Sequence, residues 1–248
     1  MKYSFSFLAF TLVLLSVSPA AFSKATTTKE KITSNKKERV YYLFVPENKS
    51  EKPLPLLILL HGSNRNGLSL VEKWKDLAEK EGILLAGPDA INSSHWSTGL
   101  DGPDFLRDIV EALKLKYRID QRRIYLFGHS AGAGFALYMS LFESQYFAAT
   151  AIHAGALSPD SYSYVEDAER KIPIAIWVGD RDPFFPLDQV RATKNLFASK
   201  GFPVELTEIP NHDHWYYDLA PKINRSAWEF LKKYELPGDP NFKQYTFK

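Results

Sequence analysis

The sequence predicts an α/β fold, a mostly parallel sheet buried between two layers of helices. Three observations carry this. Short, continuously apolar runs such as 56–60 (LLILL) and 124–127 (IYLF) recur along the chain, and strands that are apolar at every position are strands buried on both faces. Segments with helical spacing alternate with these runs. One strand-to-helix junction reads Gly128-His129-Ser130-Ala131-Gly132, a turn so tight that glycine is needed on both sides of the serine.

The elements follow in order. Lys2 and the apolar stretch 5–17 precede small residues at Ser18-Pro19-Ala20 or Ala21-Phe22-Ser23. This is the pattern of a signal peptide over residues 1–23. It predicts a secreted or periplasmic protein with no stable membrane insertion after cleavage. Residues 24–37 are polar and are expected to form a flexible leader, with a single domain over 38–248. Strands are expected at 39–45, 56–60, 83–86, 124–127, 148–152, 174–178 and 204–209. Helices are expected at 71–81, 103–117, 133–141, 188–199 and 223–234. Pro103 falls in the first turn of its helix, where a missing N–H costs nothing. Residues 237–248 are expected to form an irregular strap or a frayed end.

Composition narrows the function classes. The 248 residues carry 31 Lys and Arg against 29 Asp and Glu, a net +2, which argues against a nucleic-acid partner. There is no cysteine, so disulfides, cysteine-ligated zinc and thiol catalysis are excluded.

The serine of the tight turn is expected in a strained conformation, its hydroxyl exposed above the sheet. A serine hydroxyl needs a base, and the base needs an acid to set its tautomer. In a parallel sheet these groups come from loops at the carboxyl ends of later strands. The strand at 174–178 runs into Gly179-Asp180-Arg181-Asp182, and the strand at 204–209 into Asn211-His212-Asp213-His214-Trp215. Asp182 is the expected acid, with Asp180 as runner-up. His214 is the expected base, with His212 as a surface-loop competitor. The pair His212 and His214 lacks a third metal ligand, so no metal is expected. The oxyanion donors are expected to be the backbone N–H groups of Ala131 and of Ser63, in the loop His61-Gly62-Ser63. His61, His129 and His153 read as packing or hydrogen-bonding residues. Trp96, Phe184, Phe185 and Trp215 are candidates for lining a substrate pocket.

Together these segments resemble the α/β-hydrolase superfamily, and within it the polyhydroxybutyrate depolymerase, feruloyl esterase and phospholipase/carboxylesterase group. The resemblance spans roughly residues 38–235. It also takes in Asp104-Phe105-Leu106 and the stretch 117–125 before the Ser130 turn, which resembles the nucleophile elbow of this group. It implies an eight-stranded, mostly parallel sheet and cofactor-free hydrolysis of esters by Ser130, His214 and Asp182. The partner is then a small-molecule or polymeric ester. Only residues 154–173 separate two strands where such folds insert a cap, so no large cap domain is expected and the cleft should be open. A serine peptidase of the same fold and a non-catalytic binding protein are the alternatives.

Overall fold

The computed structural model describes residues 25–47 and 52–244; the predicted signal peptide, 1–23, lies outside them. Eight strands form one sheet in the order β1-β2-β4-β3-β5-β6-β7-β8. In chain order they are β1 (Thr26–Ser34), β2 (Lys37–Val45), β3 (Leu54–Leu60), β4 (Leu84–Pro88), β5 (Ile119–His129), β6 (Ala149–His153), β7 (Ile174–Gly179) and β8 (Val204–Ile209). The first two pair antiparallel, and β2 pairs antiparallel with β4. All later pairings are parallel. The helices are α1 (Gly67–Glu81), α2 (Pro103–Lys114), α3 (Ala131–Phe142), α4 (Leu187–Ser199) and α5 (Tyr216–Leu231).

The unbroken apolar strands are explained by two cores. Leu56, Ile58 and Leu60 of β3 face one side with Ile124 and Leu126 of β5, against α2, α3 and α4. Leu57 and Leu59 face the other with Tyr125 and Phe127, against α1 and α5. Alternate side chains therefore enter different cores, which is why these runs are apolar at successive positions.

Two expectations are corrected. Residues 26–34 are not a loose leader but the edge strand β1, paired from Thr26↔Val45 to Ser34↔Lys37. The two-residue turn Asn35-Lys36 has positive φ at both positions, 48° and 62°. That turn matches the twist of a hairpin, and pairing with β2 overrides a polar sequence of weak strand character. Helix α5 starts at Tyr216 rather than 223, with Pro221 inside it. Tyr216 is fully buried against Phe127 and His129, and this packing holds the turn that a proline would otherwise end.

The expected strap is present over residues 237–244. Asn241 N–H donates to the Gln145 carbonyl, Lys243 N–H to the Glu143 carboxylate, and Phe242 packs edge-on against Tyr146. Between β6 and β7 the chain forms only a 3-10 helix, Pro159–Glu166, and no cap.

Candidate active site

The six parallel strands β3 to β8 end at one edge of the sheet, and the loops beyond β3, β5, β7 and β8 supply the candidate site there. Ser130 follows β5 directly with φ 56° and ψ −119°, a region L-residues rarely occupy. A Cβ on Gly128 would overlap the backbone of Gly132, and one on Gly132 would overlap the Leu60 carbonyl at the end of β3. Both glycines are thus dictated by backbone contact. Ala154, Asn64 and Asn211 also have positive φ, 54°, 58° and 57°, so strain gathers at this edge.

The structure brings Ser130, His214 and Asp182 into one hydrogen-bonded line. His214 Nδ1 lies 2.8 Å from Asp182 Oδ2, and His214 Nε2 lies 2.9 Å from Ser130 Oγ. A carboxylate only accepts, so Nδ1 carries the proton and Nε2 accepts from the serine hydroxyl. The other carboxylate oxygen of Asp182 accepts the N–H groups of Phe184 and Phe185, at 2.9 and 3.0 Å. Burial alone would raise the Asp182 pKa. The hydrogen bonds from His214, Phe184 and Phe185 outweigh it and hold the carboxyl below its ordinary value. Asp180, the runner-up, is not in this line; its N–H continues the pairing with Ile209.

Ser63 and Ala131 both line a cleft of about 640 Å³ that opens above Ser130. The neighbouring amides of the Ser63 loop are committed, Asn64 N–H to Ser93 O at 2.7 Å and Arg65 N–H to Gly62 O at 3.2 Å. No backbone carbonyl among the described residues receives the Ser63 or Ala131 N–H. Ala131 opens α3, so its N–H is a free helix-start donor on the positive end of the helix dipole.

Phe184, Phe185 and Trp215 also line the cleft. Phe185 stacks on His214 at 5.8 Å and Phe184 meets it edge-on at 4.9 Å. Trp96 does not line it, which corrects the expectation. Its indole N–H donates to the His61 carbonyl at 2.8 Å and its ring stacks on Phe135 at 4.8 Å. His212 is also not a surface residue. It is buried, and its Nε2 lies 3.2 Å from His153 Nε2, while His153 Nδ1 lies 3.1 Å from His129 Nδ1.

Sequence reasoning missed this buried row of histidines and two lining residues, Arg65 and Tyr217. Arg65 sits two positions past Ser63 and lies over the rings of Trp215 and Tyr217, at 5.1 and 5.0 Å. Its place in the same loop was the available signal. The histidine row had none, since its members come from β5, β6 and the loop after β8. Among the described residues no cluster of His, Cys, Asp and Glu is arranged to hold a metal ion.

Comparison with known proteins follows the same lines. A bifunctional acetylxylan esterase/xylanase of Neocallimastix patriciarum is 28% identical over 184 residues, 71% of this chain and 27% of that protein. The chain therefore spans about a quarter of that relative's length. A thermostable esterase superposes with a TM-score of 0.68 at 24% identity, over 84% of this chain and 63% of the other. A ferulic acid esterase superposes with a TM-score of 0.68 at 19% identity, over 84% and 98%. At these identities the superpositions establish the α/β-hydrolase fold. The sequence profile of the dienelactone hydrolase family matches residues 88–229, more than half of the chain, from the end of β4 through most of α5. The chain belongs to the dienelactone hydrolase family.

Proposed function

We propose that this protein is a serine carboxylesterase acting through an acyl-enzyme. The observation that carries the reading is the continuous line from Ser130 Oγ through His214 to the buried Asp182 carboxylate, at 2.9 and 2.8 Å. Ser130 attacks the ester carbonyl while His214 Nε2 takes its proton. Asp182 holds the ring and stabilises the imidazolium that forms. The N–H groups of Ser63 and Ala131 stabilise the oxyanion. His214 then protonates the departing alkoxide, and a water molecule releases the acid by the same steps in reverse. Membership of a hydrolase family supports the reaction class.

The open cleft favours short acyl groups or esters carried on a polymer, because no cap supplies a long apolar tunnel. The N-terminal pattern of residues 1–23 supports export. Among the described residues no helix is long and apolar enough to cross a membrane.

The test is a screen of p-nitrophenyl esters from acetyl to palmitoyl with the purified protein. Turnover is expected without added metal and in the presence of EDTA. It should be highest from acetyl to butyryl, and a fluorophosphonate should label Ser130. Cleavage of amides but not esters would favour a peptidase. No labelling together with no turnover would make the site a binding pocket.

A further inference from the structure

The hydrogen bonds around His61 admit one proton assignment. Its Nε2 lies 3.1 Å from the backbone nitrogen of Ala90, a group that can only donate, so Nε2 is bare. The neutral ring therefore carries its proton on Nδ1, which lies 2.8 Å from the Gly62 carbonyl oxygen and donates to it. That oxygen also receives the Arg65 N–H at 3.2 Å. The Gly62 carbonyl and the Ser63 N–H are opposite ends of one planar trans peptide. Fixing the oxygen fixes the direction of the hydrogen.

The surroundings hold the ring as firmly as the ring holds the peptide. His61 is 1% exposed and tilts against Trp96 at 4.8 Å. The preceding carbonyl, His61 O, accepts the Trp96 indole N–H. Ala90 itself lies in a loop pinned by a buried carboxylate: Asp101 accepts from Arg39 at 2.6 Å and from the N–H groups of Ile91 and Ser97 at 2.9 Å. Burial lowers the His61 pKa, which keeps the ring in the one charge state that satisfies both of its contacts. Gly62 lies against the elbow, where a Cβ would come within 3.3 Å of the Ser130 Cβ. The peptide being aimed is thus beside the nucleophile.

We propose that His61 is a positioning residue for the oxyanion: anchored on Ala90, it aims the Gly62–Ser63 peptide so that the Ser63 N–H faces the charge developing above Ser130. This rests on the ester-hydrolase reading. An oxyanion donor acts on the transition state and hardly on the bound ester, so its loss of aim is read in kcat and not in KM. A merely structural histidine would not show that split.

The experiment compares His61→Leu and His61→Gln with the wild type on p-nitrophenyl acetate, with thermal unfolding recorded for each. The glutamine amide offers an NH2 donor and a carbonyl acceptor and so can replace both contacts. Leucine replaces neither. His61→Leu is expected to lose about 10- to 100-fold in kcat, with KM changed less than about threefold, since loss of a whole donor costs roughly 10²–10³. His61→Gln is expected to recover most of it. A loss confined to KM, or equal losses in the two variants, would overturn the inference. Imidazole 15N shifts of the wild type give a second arm that needs no turnover, and a proton on His61 Nδ1 is expected at neutral pH. A proton on Nε2 overturns the inference alone, whereas a wild type that hydrolyses no ester overturns the function and the inference with it.

Discussion

His214 and the row of His129, His153 and His212 lie side by side, with the His129 and His214 rings 5.1 Å apart, yet they are held in opposite ways. His214 has a carboxylate on one nitrogen and an accessible hydroxyl on the other. Its imidazolium has a counter-charge waiting, and its proton has somewhere to come from. The three others are linked to one another through their ring nitrogens. In such a row a proton gained by one ring meets other buried imidazoles, and the Asp182 charge offsets the burial of His129 only in part. Burial pushes the His129 pKa down to about 3, with the nearby His214 adding to it, and pushes His153 well below its ordinary value. Under the proposed mechanism the same side chain is a base in one place and a polar spacer in the other, according to its partners and its access to a reacting proton.

The sharpest way to break this comparison is to remove the base itself. His214→Ala should fold normally and lose on the order of 10⁴–10⁶ in kcat, as triad histidines do. Circular dichroism and ester turnover measure the two halves of that statement, and a variant with near-normal turnover would move the base elsewhere. Asp182→Asn should cost about 10⁴ in kcat at neutral pH, because an amide no longer selects the Nδ1–H tautomer. A much smaller loss would mean that His214 needs no counter-charge.

The buried row is read through stability and not through rate. His129 and His153 have folded pKa values below the unfolded value of about 6.5, so the unfolded chain binds protons that the folded chain refuses. Their stabilisation is complete above about pH 6.5 and is lost as pH falls toward the folded values. At pH 5 the cost for His129 is about 2 kcal/mol relative to neutral pH. The Asp182 carboxyl, held low, adds to the same trend at more acidic pH, its share fading as pH falls below about 4. His153→Gln should therefore lose less melting temperature than the wild type between pH 7 and pH 5. An identical acid limb in both proteins would show that the row takes up protons freely.

The smallest effect is expected at His212. His212→Ala leaves His153 Nε2 unpaired, a cost of about 1–3 kcal/mol, while kcat stays within roughly threefold. If this variant were the inactive one, the two histidines of the last loop would have exchanged roles.

Much of this was legible because it is local. The paired glycines around Ser130 follow from backbone collisions within a single turn. Strands β3 and β5 declare their burial residue by residue, because their alternate side chains enter different cores. The order serine, aspartate, histidine follows from loops at successive strand ends. The misreadings have a common cause in contacts distant along the chain. Strand β1 carries a polar sequence that is ordered by its pairing with β2. Trp96 reads as a pocket aromatic until the His61 carbonyl takes its indole proton. His212 reads as a loop residue until His153 covers it.

The sequence by itself determined the alternation of strands and helices and the glycine-flanked serine turn, since each is written in residues a few positions apart, and it narrowed the candidate acid to Asp182 or Asp180 and the candidate base to His214 or His212. Only the tertiary structure decided which imidazoles would carry a proton. That choice depends on what each ring nitrogen touches and how far it lies from water. For His61, His129, His153 and His214 the neighbours come from strands and loops brought together only at the carboxyl edge of the folded sheet.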